Sequence, residues 1–322
     1  PYQNAYGFGV AASLGGAAVY VTGTFKGTVD FDPDPDETDN LTSEYRNDSF
    51  VVKLDAGELV WAKSFAGPSA GAYNSVLNSG HSVGLDNSGN VYVYGRFFGT
   101  VDFDPDPVDT YNLTQNEEGL GNDAYLVKLN SSGSLVWARN FGDSNYPEGG
   151  AGPLFPGRGA MAVDGSGNTY TVGTFSGPDT FDPASDPIGS GWPEGFLVKH
   201  DASGNFQWVK HYLSNDFDGR GVAVDDSGNV YITGNFSGTT DFAPDASGGE
   251  LTATNYDTFV VNLDSSGTFG WAKSFSSAPW PNGNIGQAVA VGDSGNVYVA
   301  GMFLGEIDFD PGTGAAELTS AI

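Results

Sequence analysis

The chain has 322 residues, with 12 Lys and Arg against 40 Asp and Glu, which gives a formal net charge of −28. Such a charge disfavours nucleic-acid binding and a polybasic membrane anchor, because phosphate backbones and anionic lipids would repel the molecule. Charged residues make up only 16% and aromatic residues 13%, so the composition is that of a folded domain with an acidic surface. The chain has no cysteine, which excludes disulfides and thiolate zinc sites.

One sequence pattern recurs five times along the chain. Its first copy is VYVTGTF at residues 19–25, and its tyrosine returns about 60–80 residues later each time. That interval is longer than the period of WD40 or kelch repeats. The sequence therefore predicts five large repeat units, whose copies of the pattern are residues 19–25, 91–97, 169–175, 230–236 and 297–303.

Each copy lies at the same place in a predicted set of four short strands, which we name a, b, c and d. An apolar segment and a Gly/Asn turn precede the repeated pattern, so the two runs form one hairpin, strands a and b. A second hairpin, strands c and d, follows at residues 50–65 and returns around Trp137, Trp208 and Trp271. Four short strands per repeat without helical periodicity predict an all-β fold, a β-propeller of four-stranded blades.

The predicted propeller is a single domain over residues 1–322, and its last blade is incomplete. The fifth copy ends shortly after Leu318-Thr319, a pair that precedes strand c in other repeats, so strands c and d of that blade are missing. We therefore expect a fragment of a longer protein, or a chain that is completed by another chain across an open sheet edge. The five blades span approximately residues 1–65, 66–141, 142–214, 215–278 and 279–322.

Three types of segment resemble the bacterial SBBP-type β-propeller repeats and, more distantly, NHL repeats. They are GVAVDDSGNVYITGNFSG at residues 221–238, DFDPDP at 30–35 and 102–107, and DSFVVKLDAGELVWAKSF at 48–65. The resemblance implies a propeller in a large secreted or surface protein of environmental bacteria, acting as an accessory or interaction module. The third and fourth repeats depart from the aspartate motif, with PDTFD at 178–182 and DFAPD at 241–245.

Aspartates alternate with Phe and Pro in the segment that follows strand b. In an extended segment alternate side chains share a face, so the carboxylates would converge while the phenylalanine faces the blade. Such oxygen ligands suit Ca²⁺, which takes about 6–8 oxygens in irregular geometry. The alternative is that the aspartates cap turns and solvate the rim. The predicted calcium ligands are Asp30, Asp32, Asp34, Asp102, Asp104, Asp106, Asp308 and Asp310.

A second candidate site lies at the start of strand a, the strand predicted to be nearest the central channel. Arg binds carboxylates and phosphates through paired hydrogen bonds, so arginines there could hold an anionic sugar or a partner's carboxylate. The alternative is that each Arg pairs with a neighbouring Asp. Loop aromatics such as Phe217 and Trp280 suit sugar stacking, or burial over a neighbouring blade. The register position at the start of strand a reads Phe8, His81, Arg158, Arg220 and Gln287.

Catalytic motifs find little support in the repeat pattern. Gly-Asp-Ser-Gly at residues 292–295 occupies a hairpin turn, and the histidines at positions 81, 200 and 211 show no linkage to a serine nucleophile. Glycosidase chemistry needs two carboxylates beside the substrate. Asp86, Asp164 and Asp225 stand at one repeated position beside a turn, which favours a structural role.

We therefore predict a non-enzymatic binding or assembly module of a secreted or cell-surface protein, stabilised by calcium. Its partner would be a protein or a carbohydrate, or other copies and domains of the same surface assembly, contacted through the long b–c and d–a loops. The alternative function is that of a polysaccharide-active enzyme, a glycoside hydrolase or lyase, that uses channel carboxylates.

Overall fold

The computed structural model of the chain describes residues 4–67, 78–115, 122–141, 159–175, 181, 188, 194–214, 216–276, 284–292, 294–312 and 314–320. Within these ranges every named element is a β-strand, and no helix is long and apolar enough to cross a membrane. The chain divides into two compact units. The first comprises Pro1–Gly157, Gly165–Asn168 and Ala202–Gly204, and the second Arg158–Asp164, Thr169–Asp201 and Asn205–Ile322.

The first unit contains two four-stranded antiparallel sheets, in which strands a to d are neighbours in chain order. The first sheet consists of β1 (Asn4–Ala12), β2 (Ala18–Asp30), β3 (Asn40–Asp55) and β4 (Glu58–Phe65). The second begins with β5 (Ser79–Leu85) and β6 (Val91–Phe97). A short pair, β7 (Thr100–Asp102) and β8 (Asn112–Thr114), comes next in the chain, and β9 (Asp123–Leu129) and β10 (Leu135–Phe141) complete the sheet.

The second unit contains two further four-stranded sheets of the same order and two separate strand pairs. The third sheet consists of β11 (Ala160–Val163), β12 (Thr169–Phe175), β13 (Glu194–His200) and β14 (Phe206–Tyr212). The fourth consists of β15 (Asp218–Val224), β16 (Val230–Asp241), β17 (Glu250–Leu263) and β18 (Phe269–Phe275). The pairs are β19 (Asn284–Val291) with β20 (Val297–Phe303), and β21 (Glu306–Asp308) with β22 (Glu317–Thr319).

The all-β prediction is confirmed, and the successive antiparallel sheets are consistent with a propeller-like fold. Strand b of each complete sheet lies between strands a and c and carries β-branched and aromatic side chains, which suit a buried strand. Tyr92, Val93 and Ile232 on these strands are fully buried. The tyrosine that revealed the repeat is therefore a core residue.

The structure corrects the predicted b–c loops of the first, second and fourth repeats, because much of each of these loops continues the b–c hairpin. The third predicted loop, 176–194, lies mostly outside the described residues. In the first sheet β2 runs to Asp30 and β3 begins at Asn40, so the connection is far shorter than the predicted loop 26–48. The side chains of Thr28 and Thr42 hydrogen-bond across the two strands at 3.0 Å, and Val29 pairs with Leu41. Such cross-strand pairs stabilise the ladder. We call these extensions the outer arms, residues 27–43, 99–115, 238–252 and 305–320.

The phenylalanine of each aspartate motif anchors the arm to its sheet. It meets the last phenylalanine of strand b edge to face, with ring centroids 5.3–5.5 Å apart and interplanar angles of 85–89°. This geometry is favoured by the aromatic quadrupole. The expectation that the phenylalanine faces the blade thus agrees with the structure. The five pairs are Phe25–Phe31, Phe97–Phe103, Phe175–Phe181, Phe236–Phe242 and Phe303–Phe309.

Removal of one buried arm ring should destabilise the second unit strongly. Phe242 is 1% exposed and Phe309 is 40% exposed. We expect Phe242→Ala to lower the free energy of unfolding by about 3–5 kcal/mol, the usual cost of deleting a buried aromatic ring. Phe309→Ala is the matched control and should cost about 1 kcal/mol or less, because its ring is already partly hydrated. Urea unfolding monitored by circular dichroism measures both, and equal losses would contradict the anchoring role.

Candidate functional site

The aspartates of the outer arms bind the backbone of their own segment. Asp30 Oδ1 accepts a hydrogen bond from Asp32 N at 3.1 Å, Asp32 Oδ1 from Asp34 N at 2.9 Å, and Asp34 Oδ1 from Asp36 N at 2.8 Å. Each is an Asx turn, in which a side chain replaces a backbone acceptor. The segment is therefore not extended throughout as predicted, because successive Asx turns lead from the end of β2 into a bend and turn at residues 33–36.

The first aspartate of each of three aspartate motifs also closes the tip of its arm. Asp30 Oδ1 accepts from Asp39 N at 2.9 Å, Asp102 Oδ1 from Tyr111 N at 2.8 Å, and Asp308 Oδ1 from Ala316 N at 2.8 Å. The remaining predicted ligands make the two-residue turn alone. They are Asp104 with Asp106 N, Asp106 with Val108 N, and Asp310 with Gly312 N.

Among the residues that the structure describes, no three His, Asp or Glu side chains are grouped so that they could hold one metal ion. The turn role that was the alternative to calcium binding accounts for one oxygen of each arm aspartate. Calcium binding at these carboxylates stays a prediction.

The acidic residues considered for glycosidase chemistry are used by the a–b turn. Asp86 Oδ1 accepts from Ser88 N and Asn90 N, both at 2.9 Å, and its Oδ2 accepts from Tyr92 Oη at 3.0 Å. Burial would raise the pKa of Asp86, but the hydrogen bonds outweigh it and hold the pKa below its usual value. Asp225 makes the equivalent contacts, and its pKa is lowered in the same way. A general acid needs a raised pKa, so these carboxylates are poorly suited to that role.

The residues predicted at the start of strand a lie at β-bulges. The a–b register shifts between Gly7 and Gly9, between Gly80 and Ser82, and at the same place in β15 and β19. A bulge inserts one unpaired residue, bends the strand and re-aims that residue's side chain, and it often occurs beside functional sites. We call the four inserted residues the bulge residues; they are Phe8, His81, Arg220 and Gln287. Arg158 and Trp280 lie outside the described residues.

Bulge residues from successive repeats contact one another within each unit. In the first unit the rings of Phe8 and His81 stack with centroids 5.6 Å apart and an interplanar angle of 14°. In the second unit Arg220 Nη1 donates to Gln287 Oε1 at 3.2 Å, and these residues line an open depression together with Met302. The register predicted from the sequence thus brings equivalent positions side by side. Phe217, predicted as a loop ring for sugar stacking, is buried against Tyr212 instead.

Arg220 is paired with an acid, as the alternative interpretation held in part, but the acid is Asp218 of its own strand and not a residue of a neighbouring aspartate loop. Asp218 Oδ2 accepts from Arg220 Nε at 2.8 Å and from Arg220 Nη2 at 2.6 Å. The pair fixes the guanidinium plane while leaving one edge for Gln287. Asp218 was missed by the sequence reasoning, because side chains two residues apart in a regular strand are usually too far apart to bond, and here the bulge between Gly219 and Gly221 brings them together.

A serine–histidine contact corrects the view that no histidine is linked to a serine. Ser79 Oγ lies 2.9 Å from His81 Nε2 and accepts a hydrogen bond from Arg96 Nε at 3.2 Å. Ser79 is 2% exposed, so a substrate carbonyl cannot reach its hydroxyl. Burial lowers the pKa of His81 to about 4, with a further contribution from the Arg96 charge, so the ring is neutral at pH 7. The cluster therefore orients the bulge residue His81.

Antiparallel sheets repeated along the chain with a bulged first strand form an architecture typical of propeller repeats. The sequence profile of the family described as SBBP, beta-propeller repeat, matches residues 212–242, which include β15 and β16. This match confirms the resemblance noted in the sequence and places an SBBP repeat in the fourth sheet.

Two further comparisons give distant similarities. The chain is 28% identical over 207 residues to "Uncharacterized WD repeat-containing protein L264" of Acanthamoeba polyphaga mimivirus, which covers 55% of this chain and 14% of that protein's length. A crystal structure of a protein of unknown function from Dyadobacter fermentans DSM 18053 is similar with 14% identity and a TM-score of 0.44, over 99% of this chain and 85% of that chain.

The buried neutral state of His81 should make stability depend on pH. The unfolded chain has an ordinary histidine pKa near 6.5, so it binds protons more readily than the folded chain between about pH 6.5 and pH 4. The contribution of the neutral histidine to the free energy of unfolding is therefore complete above about pH 6.5 and is lost as the pH falls toward 4. Between pH 7 and pH 5 the free energy of unfolding should fall by about 1–2 kcal/mol less in the His81→Phe variant than in the wild type. Urea unfolding at the two pH values measures it, and an unchanged drop would contradict the assignment.

Proposed function

We propose that the chain is a protein-interaction module of the β-propeller type, and that the bulge residues of each unit form a recognition surface on that unit. The SBBP match and the similarity to a WD repeat-containing protein support an interaction module. We choose this surface because its residues vary between the repeats of this chain, whereas residues at other equivalent positions recur. Arm phenylalanines, strand-b tyrosines and turn aspartates recur from repeat to repeat, whereas the position at the start of strand a carries four different residue types in five repeats, with arginine present twice.

The bulge residues offer chemistry that suits a protein surface. They comprise an apolar ring, a neutral imidazole, a guanidinium held by a carboxylate, and a primary amide, so no single small ligand type accounts for them. Phe8 is exposed and is stacked on His81, which pre-orients an aromatic contact of the kind that dominates binding energy in interfaces. Because the chain carries a net charge of −28, a partner with a basic patch would be steered toward it.

A photo-crosslinker placed at Phe8 in the first unit, and separately at Gln287 in the second, should capture a partner from the proteins of the source organism. The same crosslinker at Ser88 or Ser227, both exposed on the short a–b turns, should not capture it, because those turns are uniform structural features. If the turn positions capture the partner and the bulge positions do not, the recognition surface is misassigned.

The affinity of the captured partner then gives a quantitative test. Phe8→Ala should weaken binding about tenfold, which corresponds to about 1.4 kcal/mol for the loss of an exposed aromatic anchor. Val60→Ala in strand β4 is the matched control, since Phe8 and Val60 are both exposed apolar residues of the first unit, and it should leave binding unchanged. Isothermal titration calorimetry measures both affinities.

We further propose that the module works outside the cell and that calcium stabilises its arms. The family resemblance supports the location, and the concentration of carboxylates on each arm supports the cation. Calcium sites of extracellular modules commonly have Kd values of about 10⁻⁴–10⁻³ M, so they fill only in the millimolar calcium found outside cells. At a tenfold excess over Kd one site would add about 1.4 kcal/mol to the free energy of unfolding.

The triple variant Asp30→Asn, Asp32→Asn, Asp34→Asn separates the turn role from the calcium role. Asparagine keeps the side-chain oxygen that the Asx turns need but removes the charge. We expect the melting temperature without calcium to be retained in the variant, and the rise with CaCl₂ beyond that with NaCl at matched ionic strength to be smaller than in the wild type. If the two salts act alike on the wild type, the arm aspartates serve the turns alone.

A further inference from the structure

One arginine of the first unit has no acidic partner among the described residues. Arg96 lies on β6, an interior strand of the complete second sheet, and its side chain is half-buried. Its backbone stands between Ser79 of β5 and Ala124 of β9. The ion pairs formed within the described ranges do not include Arg96. In a chain with 40 Asp and Glu residues such a guanidinium requires an explanation, because burial of an uncompensated charge costs free energy.

Only one nitrogen of this guanidinium is hydrogen-bonded within the part of the chain that the structure describes. Arg96 Nε donates to Ser79 Oγ at 3.2 Å, whereas Nη1 and Nη2 donate to none of the described groups. A guanidinium holds its N–H donors in a rigid planar fork. The two terminal nitrogens are therefore available for the paired hydrogen bonds that arginine forms with a carboxylate.

The polar groups around Arg96 are neutral at pH 7. The hydroxyl of Ser79 also bonds the imidazole of His81, which is uncharged. Burial raises the pKa of Tyr94 above its ordinary value, although the Arg96 charge opposes this, so the phenol stays protonated. Burial lowers the pKa of Arg96 itself, as expected for a charge that no carboxylate offsets, but a guanidinium remains charged in proteins. An anion would therefore meet a cation and neutral hydrogen-bonding groups.

The fourth sheet shows how an arginine at the same level is satisfied when an acid is present. Asp218 occupies the register position of Ser79, two residues before the bulge residue. Its Oδ2 accepts from Nε and Nη2 of Arg220, at 2.8 and 2.6 Å. In the second sheet a serine takes the place of this aspartate, and the arginine stands on strand b. Arg96 thus lacks the carboxylate that Arg220 obtains from its own strand.

We propose that Arg96, Ser79 and His81 form a carboxylate-binding site on the first unit, which takes one carboxylate of a protein partner. We rest this inference on the proposed function, because His81 is one of the bulge residues. The carboxylate accepts from Nη1 and Nη2 of Arg96, while Ser79 holds Nε and fixes the plane of the guanidinium. The sequence pattern did not single out Arg96, since the equivalent positions in strand b include the uncharged Thr24 and Asn235.

Charge favours a protein over an acidic polysaccharide as the source of the carboxylate. A polyuronate carries a negative charge on every sugar, so a chain of net charge −28 would repel it. A protein can present a single carboxylate beside Lys or Arg side chains, whose charge offsets that repulsion. Phe8, which is exposed and stacked on His81, offers a ring for a cation–π contact with such a side chain. The site therefore suits a segment in which a basic residue stands next to a carboxylate.

The test follows the arginine side chains of the 322-residue protein by NMR after labelling with ¹⁵N-arginine. Sodium acetate should shift the Arg96 Nε–H signal in a saturable way, and NaCl at matched ionic strength should not. The Arg220 signal is the internal control and should stay in place, because Asp218 already holds that guanidinium. Arg96→Lys and Arg220→Lys assign the two signals by their loss. The proposal is wrong if Arg96 does not respond to acetate, or if Arg220 responds equally.

Exchange of the acid between the two sheets gives a second, independent test. Ser79→Asp places a carboxylate where the fourth sheet has Asp218 and should abolish the acetate response of Arg96, whereas Ser79→Asn, of similar size but uncharged, should retain it. Asp218→Asn should make Arg220 respond to acetate, and it decides the matter if the Ser79 variants do not fold. Melting temperatures close to that of the wild type show which variants are folded. An acetate response that persists in folded Ser79→Asp, or one that Arg220 fails to gain, would contradict the site.

Short ligands then identify the source of the carboxylate. Acetyl-Gly-Lys-Asp-Gly-amide carries it on a side chain, acetyl-Gly-Lys-Gly carries it at the C-terminus, and acetyl-Gly-Lys-Asn-Gly-amide has none. We expect at least one of the first two peptides to shift the Arg96 signal at a concentration about tenfold lower than the third peptide or trigalacturonate requires. Tighter binding of trigalacturonate would overturn the assignment to a protein partner. Capture of a partner at Phe8 without any response of Arg96 would refute this site and leave the proposed recognition surface standing.

Discussion

The fold depends on the packing of one phenylalanine per repeat at the tip of a hairpin arm. Phe103 shows the arrangement most completely in the first unit, where it meets Phe97 of strand b, Tyr125 of strand c and Phe65 of the preceding strand d. One buried ring thereby joins three strands from two sheets. Its backbone also takes part, because Phe103 N donates to Tyr111 O at 2.9 Å across the arm. The arm and the packing of the two sheets therefore stabilise each other, because the same residue forms the ring contacts and the hydrogen bond across the arm.

This constraint explains the composition of the aspartate motif. The chain must turn sharply after strand b while it delivers a phenylalanine to the core, and the alternation of Asp with Phe and Pro serves both needs. The aspartates accept backbone hydrogen bonds two residues ahead, the prolines restrict the backbone, and the phenylalanine is buried. The needs of the local backbone are thus enough to explain a pattern that suggests metal ligands. Repetition of this residue pattern along the chain is therefore explained by a structural task.

The sequence predicted the strands, their order and the neighbourhood of the bulge residues, because these depend on short-range patterns that repeat. It did not predict the arms, since Val29 and Leu41 pair across a segment of Asp and Pro that is typical of a loop. It also missed the contact of Ser79 with His81. Residues two apart in a regular strand point to the same face, but their side chains are usually too far apart to bond, and here the bulge between Gly80 and Ser82 brings them together. Local irregularities of this kind have no periodic signal.

The same bulge explains why the inserted residue at the start of strand a varies while its immediate neighbours stay small. First strands of successive sheets approach so closely that a Cβ on Gly9 would lie 2.9 Å from the carbonyl oxygen of His81, and one on Gly221 would lie 3.0 Å from Ala288 Cα. Small residues are therefore required on the side where the strands pack. The inserted residue is re-aimed by the bulge and escapes this requirement, so it can be phenylalanine, histidine, arginine or glutamine without disturbing the core. The backbone frame is therefore set by the small residues on either side, and the inserted side chain can differ from repeat to repeat on that frame.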